Sequence, residues 1–169
     1  MNKVVARQRE LSFPVIGLVV TVIIVLDQIT KYLCDTYLPY GQNLPVAPGF
    51  DLLLVYNTGA AFSFLSEAGG WQRWILAGIS LTVSSGIAVW LWRLPKHQLL
   101  LGFALTLILA GALGNLYDRI VFGHVIDFIS VYFMDWRFAT FNIADAAISI
   151  GAALLALDVF IGKDTDAAS

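Results

Sequence analysis

The side chains with chemistry to offer are few, and they stand inside apolar sequence. Asp27 and Lys31 share one hydrophobic stretch, Asp118 and Arg119 close another, Asp127 lies in Gly-His-Val-Ile-Asp-Phe-Ile, and Asp145 follows Phe-Asn-Ile-Ala. Asp27 and Lys31 are spaced i, i+4, where a carboxylate and an ammonium on one helix face neutralise each other, so they read as a structural salt bridge. Asp118 and Arg119 are adjacent and cannot face one another; each needs a partner on another element. Asp127 and Asp145 have no basic residue at helical pairing distance. Two carboxylates brought close in a low-dielectric site cannot easily both ionise, so one keeps its proton while the other can deprotonate water, as in an aspartic-protease pair. The blander reading is that each aspartate caps a helix or accepts from a nearby backbone amide. Asn57, Asn115 and Asn142 favour the catalytic reading, because a dyad needs neutral donors to orient it and polarise a carbonyl. Alone, the same amides would equally fasten helices together.

Other chemistries fare worse. A zinc hydrolase wants clustered histidines, but His97 falls in a different connection from His124, and these are the only two. A Ser-His-Asp triad would have to use His124, and no serine sits in a nucleophile-elbow setting. A Ser-Lys dyad needs a neutral Lys31, which Asp27 opposes. The single cysteine, Cys34, cannot form an intrachain disulfide.

The elements that must position these residues follow from composition. Hydrophobic side chains make up 59% of the 169 residues and charged ones 13%, and the mean hydropathy is +0.78. A soluble single domain and a disordered chain are both excluded, and a net charge of -2 gives no electrostatic reason to expect a nucleic-acid partner. A bilayer crossing takes about 20 residues of helix. Four gaps between charges are long enough: Pro14 to about Cys34, Trp71 to Trp92, Leu99 to Tyr117, and Phe141 to Gly162. The run after Lys3, Arg7 and Arg9 is too long for a cleaved signal peptide and lacks a small-x-small cleavage site. Leu33 and Lys31 likewise argue against Cys34 as a lipoprotein acylation site.

Basic residues precede the first span and recur as Arg93 and Lys96 between the second and third, whereas none lies between Lys31 and Arg73. Both termini are therefore expected in the cytoplasm, with 35–70 and 120–140 as outer connections. Trp71, Trp74, Trp90, Trp92 and Trp136 fall near span ends, as interfacial anchoring expects. Phe50 to Val55 is apolar and β-branched enough for a strand behind the breakers Pro45, Pro48 and Gly49, so a small extramembrane β element is expected. The tail 163–169 reads as solvated and disordered. On this topology Asp27, Lys31, Asp118, Arg119 and Asp145 share one depth near the outer interface, with Asp127 tucked against the bundle. Intramembrane ionisable groups cost about 2.5–3.5 kcal/mol each even on lenient scales, so they pair or serve a function.

Five blocks closely resemble the lipoprotein signal peptidase (signal peptidase II) family of Gram-negative bacteria. They are Val25-Leu-Asp-Gln-Ile-Thr-Lys31, Tyr56-Asn-Thr-Gly-Ala-Ala-Phe-Ser-Phe-Leu65, Gly111-Ala-Leu-Gly-Asn-Leu-Tyr-Asp-Arg119, Gly123-His-Val-Ile-Asp-Phe128 and Phe141-Asn-Ile-Ala-Asp145. The blocks keep the family's order, and no residue the family needs departs from its pattern. The resemblance implies an all-α integral membrane fold, one domain over 1–169, with four transmembrane helices. It adds a β-cradle and a short surface helix on the periplasmic side, in the outer connection before Asn57. It implies an intramembrane aspartyl endopeptidase of the inner membrane that removes the signal peptide on the N-terminal side of the diacylglyceryl-modified lipobox cysteine. Asp127 and Asp145 match the catalytic dyad; Asn57, Gly59, Asn115, Arg119, Asn142 and Ala144 match substrate-binding or dyad-supporting positions. Asp27, Lys31 and Asp118 match structural polar positions. The expected partners are the diacylated prolipoprotein, membrane lipid and the cyclic depsipeptide inhibitor globomycin, with no metal or other cofactor and a monomeric enzyme.

Two other classes of function compete. A small proton-coupled transporter should place acids along the membrane depth, whereas Asp158 alone lies near the cytoplasmic end. A noncatalytic assembly subunit would use Gly111 and Gly114 for close helix contact but would leave Asp127 and Asp145 without a purpose.

Overall fold

The computed structural model describes residues 11–59, 71–134 and 136–166. Four of its helices are long and apolar enough to cross a membrane: α1 (Phe13–Tyr37), α2 (Gln72–Arg93), α3 (Leu99–Val121) and α4 (Ile143–Asp166). Between them stand β1 (Asn43–Ala47), β2 (Phe50–Asn57), β3 (Val125–Phe133) and β4 (Trp136–Arg137), paired antiparallel in that order in one sheet. Connectivity puts the sheet at the end of the bundle where α1 and α3 finish and α2 and α4 begin. At the other end the N–H of Leu11 bonds the Lys96 carbonyl, 3.1 Å away, so the start of α1 lies beside the α2–α3 turn.

The hydrophobic pattern is that of a protein whose solvent is lipid. The only buried residues of α1 are Asp27 and Lys31, while Leu18 is 64% exposed. Helix α3 is the hub: 67% of its most apolar stretch is buried inside the bundle, against 6% for α1, and it packs on all three other helices. Without a hydrophobic drive between helices in lipid, close approach depends on small residues. A methyl group on Gly111 would collide with the Ala144 carbonyl oxygen, and one on Gly114 would lie 3.0 Å from Asp27 Oδ2. These two glycines therefore let α3 meet the start of α4 and leave room for the charge on α1.

Several boundaries differ from the expected ones. Helix α3 continues four residues past Tyr117 to Val121, because Asp118 and Arg119 at its C-terminal end are turned inward. It ends where Gly123 adopts the left-handed conformation, φ +82°, and donates its N–H to the Asp118 carbonyl. The connection after it, expected on the outer side, is mostly strand among the described residues. Helix α4 starts at Ile143 because Phe141 is bridged to Ile129 by two backbone hydrogen bonds, and it runs on through 163–166, part of the tail expected to be disordered. The β1–β2 turn Ala47-Pro48-Gly49-Phe50 has Pro and then Gly at φ +85°, the sequence a type II turn requires. Between α1 and Asn57 the chain forms these strands and no helix. The surface helix expected before Asn57 is therefore not found there, and residues 60–70 of the same connection lie outside the described residues. Arg137 of β4 clamps the sheet: it pairs with buried Asp51 of β2 at 2.9 Å and bonds buried Ser130 of β3.

Candidate active site

Asp127 lies on β3 opposite Val55 of β2, which brings Asn57 at the end of β2 alongside it. Asp145 lies in the first turn of α4. Asn142 immediately precedes that helix, and its side-chain oxygen accepts the Asp145 N–H at 2.9 Å while Asp145 Oδ2 accepts the Asn142 N–H at 3.3 Å. This reciprocal pair is a capping box with Asn and Asp in its two positions. The capping reading of Asp145 is thus correct as local structure, and the cap is what delivers the carboxylate to the site. The side-chain amide of Asn142 donates to Asp127 Oδ1 at 2.7 Å, so one wholly buried residue holds both candidate catalytic acids.

All three asparagines present their amide NH2 to the dyad, and in each case a donor on the other side dictates the orientation. The Asn142 oxygen is taken by the Asp145 N–H. The Asn57 oxygen accepts the Gly59 N–H at 3.1 Å, which turns its nitrogen to Asp127 Oδ2, also 3.1 Å away. The Asn115 oxygen accepts from Lys31 Nζ at 3.1 Å, which turns its nitrogen to Asp145 Oδ1 at 2.7 Å. Gly59 acts here through its backbone. Arg119 bonds the Asn115 carbonyl at 3.3 Å and is half-buried, with its charge felt by Asp145, Asp118 and Asp127.

The two aspartates differ in exposure. Asp127 is 3% exposed, whereas Asp145 is half-buried. Burial, reinforced by the negative charge of Asp145, pushes the Asp127 carboxyl up to about 7, against the opposing pull of Asn57, Asn142 and Lys31. One carboxyl of the pair is thereby poised to hold a proton near neutral pH.

Beneath the dyad lies a second buried cluster. Lys31 pairs with Asp27 as its i, i+4 spacing implies, at 2.7 Å, and equally with Asp118 of α3, which finds there the partner on another element that it needed. Gln28, which sequence reasoning passed over, donates to Asp118 at 2.8 Å and to Asp27 at 3.2 Å. A polar amide beside Asp27 in an apolar span was the available signal. Ala144 is 0% exposed, with its N–H on Asp27 and its methyl group facing Gly114. It offers no surface to a substrate, so of its two expected roles the supporting one remains. His124 packs against Tyr56 with the two rings tilted by 45° and their centroids 4.5 Å apart. Among the described residues no three His, Cys, Asp or Glu side chains converge as metal ligands would.

The chain as a whole has counterparts among known proteins. The profile of the family described as signal peptidase (SPase) II matches residues 19–161. The chain belongs to the signal peptidase II family. Membership makes it a multi-pass membrane endopeptidase of the aspartic class that cleaves lipoprotein signal peptides. The lipoprotein signal peptidase of Ectopseudomonas mendocina is 55% identical over 140 residues, covering 82% of this chain and 83% of that protein. Its counterpart in Pseudomonas aeruginosa is 49% identical over 153 residues, covering 89% and 90%. That of Pseudomonas fluorescens is 48% identical and covers 98% and 96%. Among solved structures, a bacterial membrane enzyme determined by the in meso method at 2.3 Å superposes with a TM-score of 0.82 at 28% identity, covering 95% of this chain and 94% of that one.

Proposed function

We propose that Asp127 and Asp145 are the catalytic dyad with which this signal peptidase II family member hydrolyses the peptide bond on the N-terminal side of the diacylglyceryl-modified cysteine of a prolipoprotein. The observation that carries this reading is Asn142: it binds both carboxyls at once, and neither carboxyl is spent on a salt bridge among the described residues. Asp145, the more accessible acid, takes a proton from water as the oxygen attacks the scissile carbonyl carbon. Asp127 gives its proton to the carbonyl oxygen. When the tetrahedral intermediate collapses, the C–N bond breaks and the leaving nitrogen receives the proton from Asp145. Asp127 recovers its own as the carbonyl re-forms, so the dyad returns to its starting state. No step calls on a metal or other cofactor.

The reading extends to the surroundings. The enzyme lies in the bacterial inner membrane with both termini cytoplasmic, so the sheet and dyad face the periplasm, where a lipid-anchored cysteine sits. It acts as a monomer, in contact with membrane lipid, and globomycin occupies the substrate's place.

Purified enzyme in detergent, given a diacylated prolipoprotein with a chelator present, should turn over normally. Asp127→Asn and Asp145→Asn should each lose at least about 100-fold in turnover while remaining folded and binding globomycin. Substantial turnover by either variant under conditions that exclude deamidation would sink the dyad, as would loss of activity on chelation restored by zinc.

A further inference from the structure

The two acids paired with Lys31 each grip the backbone one residue ahead of a dyad aspartate. Asp27 Oδ1 accepts the N–H of Ala144, 2.9 Å away, and Ala144 precedes Asp145. Asp118 Oδ2 accepts the N–H of Ile126 at 3.4 Å, and Ile126 precedes Asp127. Lys31 Nζ stands 2.7 Å from each of these acids and 3.1 Å from the Asn115 oxygen. An ammonium has three donors and no acceptor, so all three of its donors are committed. Through them it reaches the start of α4, the start of β3, and the amide that donates to Asp145.

We infer that Lys31 is a positioning residue for the dyad, its single ammonium setting the placement of Asp127 and Asp145 through Asp27, Asp118 and Asn115. The inference rests on the dyad reading above and goes beyond it, since i, i+4 spacing alone makes Lys31 a neutralising partner and nothing more. Stability does not require such a cluster: replacing buried ionic groups by neutral ones of similar shape is often neutral or favourable. What an apolar replacement cannot reproduce is the direction of three hydrogen bonds. Without Lys31 the Asn115 oxygen keeps only the longer donation from Asn142 Nδ2, at 3.3 Å, and the amide that turns its nitrogen to Asp145 is held less firmly.

Lys31→Met alone would leave two buried acids without a cation, so the test uses the combined variant Asp27→Asn/Lys31→Met/Asp118→Asn, which keeps an oxygen for each gripped N–H. It is expected to fold, with a melting temperature close to that of the parent, and to lose kcat by about 10- to 100-fold at unchanged KM for a diacylated prolipoprotein. Adding Asn115→Ala to the combined variant should lower kcat by less than it does in the parent, because Lys31 acts partly through that amide. A folded combined variant with the parent's kcat overturns the inference. So do losses that simply multiply with Asn115→Ala, and so does failure to fold, which would make the cluster a stability element. Failure of the dyad reading is separately visible as turnover by Asp127→Asn or Asp145→Asn.

Discussion

Asp127 and Asp145 are the same residue type in unlike surroundings. Asp127 is enclosed and accepts from two side-chain amides, while Asp145 accepts from a backbone N–H at a helix start and keeps partial access to the outside. A general acid at Asp127 must be protonated, and its carboxyl is pushed up to about 7. The descending limb of the kcat/KM profile should therefore fall as pH rises through about 7, with the apparent value belonging to the coupled pair. The same shift is a statement about stability. A carboxyl raised from 3.8 to about 7 on folding contributes stability that is fully present below 3.8 and lost as pH rises through about 7. Asp127→Asn removes that loss, so its gain in melting temperature over the parent should be larger at pH 8 than at pH 5. Thermal melts at the two values check it, and an equal difference at both would show that Asp127 does not titrate as described.

Each element that carries a catalytic candidate is held by something outside itself. The first turn of α4 is tied by Asn142 within the cap and by Asp27 from α1, and it sits against α3 only because Gly111 has no side chain. Gly111→Ala should therefore push the start of α4 away from α3. Overpacking of this kind costs about 1–3 kcal/mol, and the displaced element here bears Asp145. A lowered melting temperature accompanied by a kcat loss is expected. A variant that melts lower with its kcat intact would show that the α3–α4 contact does not position the acid. In β3, by contrast, placement comes from pairing with β2 and from Asp118 beneath it.

At the scale of the whole molecule the buried charged groups among the described residues, Asp27, Lys31, Asp51, Asp118 and Asp127, are gathered at the sheet end of the bundle, while Arg93, Lys96 and Asp158 lie toward the other end. Tryptophans lie exposed near helix ends, Trp71 and Trp74 at one end of α2 and Trp90 and Trp92 at the other, as residues that prefer the membrane interface should. The orientation proposed for the family member has a direct check. With Cys34→Ser as background, a membrane-impermeant maleimide applied to intact cells with a permeabilised outer membrane should label Gln42→Cys, exposed beside the sheet. It should label His97→Cys, exposed in the α2–α3 turn, only after the inner membrane is broken. The reverse pattern would invert the topology.

Span number and approximate position, the polarity of the site and the identity of the two unpaired acids were legible from the sequence alone. The physical reason is that membrane insertion depends on the hydropathy of contiguous residues, and the pairing of Asp27 with Lys31 on helix periodicity; both are local. The strand carrying Asp127 was not legible as a strand, because its first four residues are buried on both faces and the segment Val125-Ile-Asp-Phe-Ile129 shows no alternation that distinguishes it from a packed loop. Nor could helix periodicity reveal that Lys31 also binds Asp118 and Asn115, or that Asn142 bridges the two acids, since those contacts join residues brought together by α3 and the sheet. Which polar side chains are available for chemistry was written in the chain. Their mutual orientation was decided by tertiary packing, because a hydrogen bond between distant segments has no signature in either segment by itself.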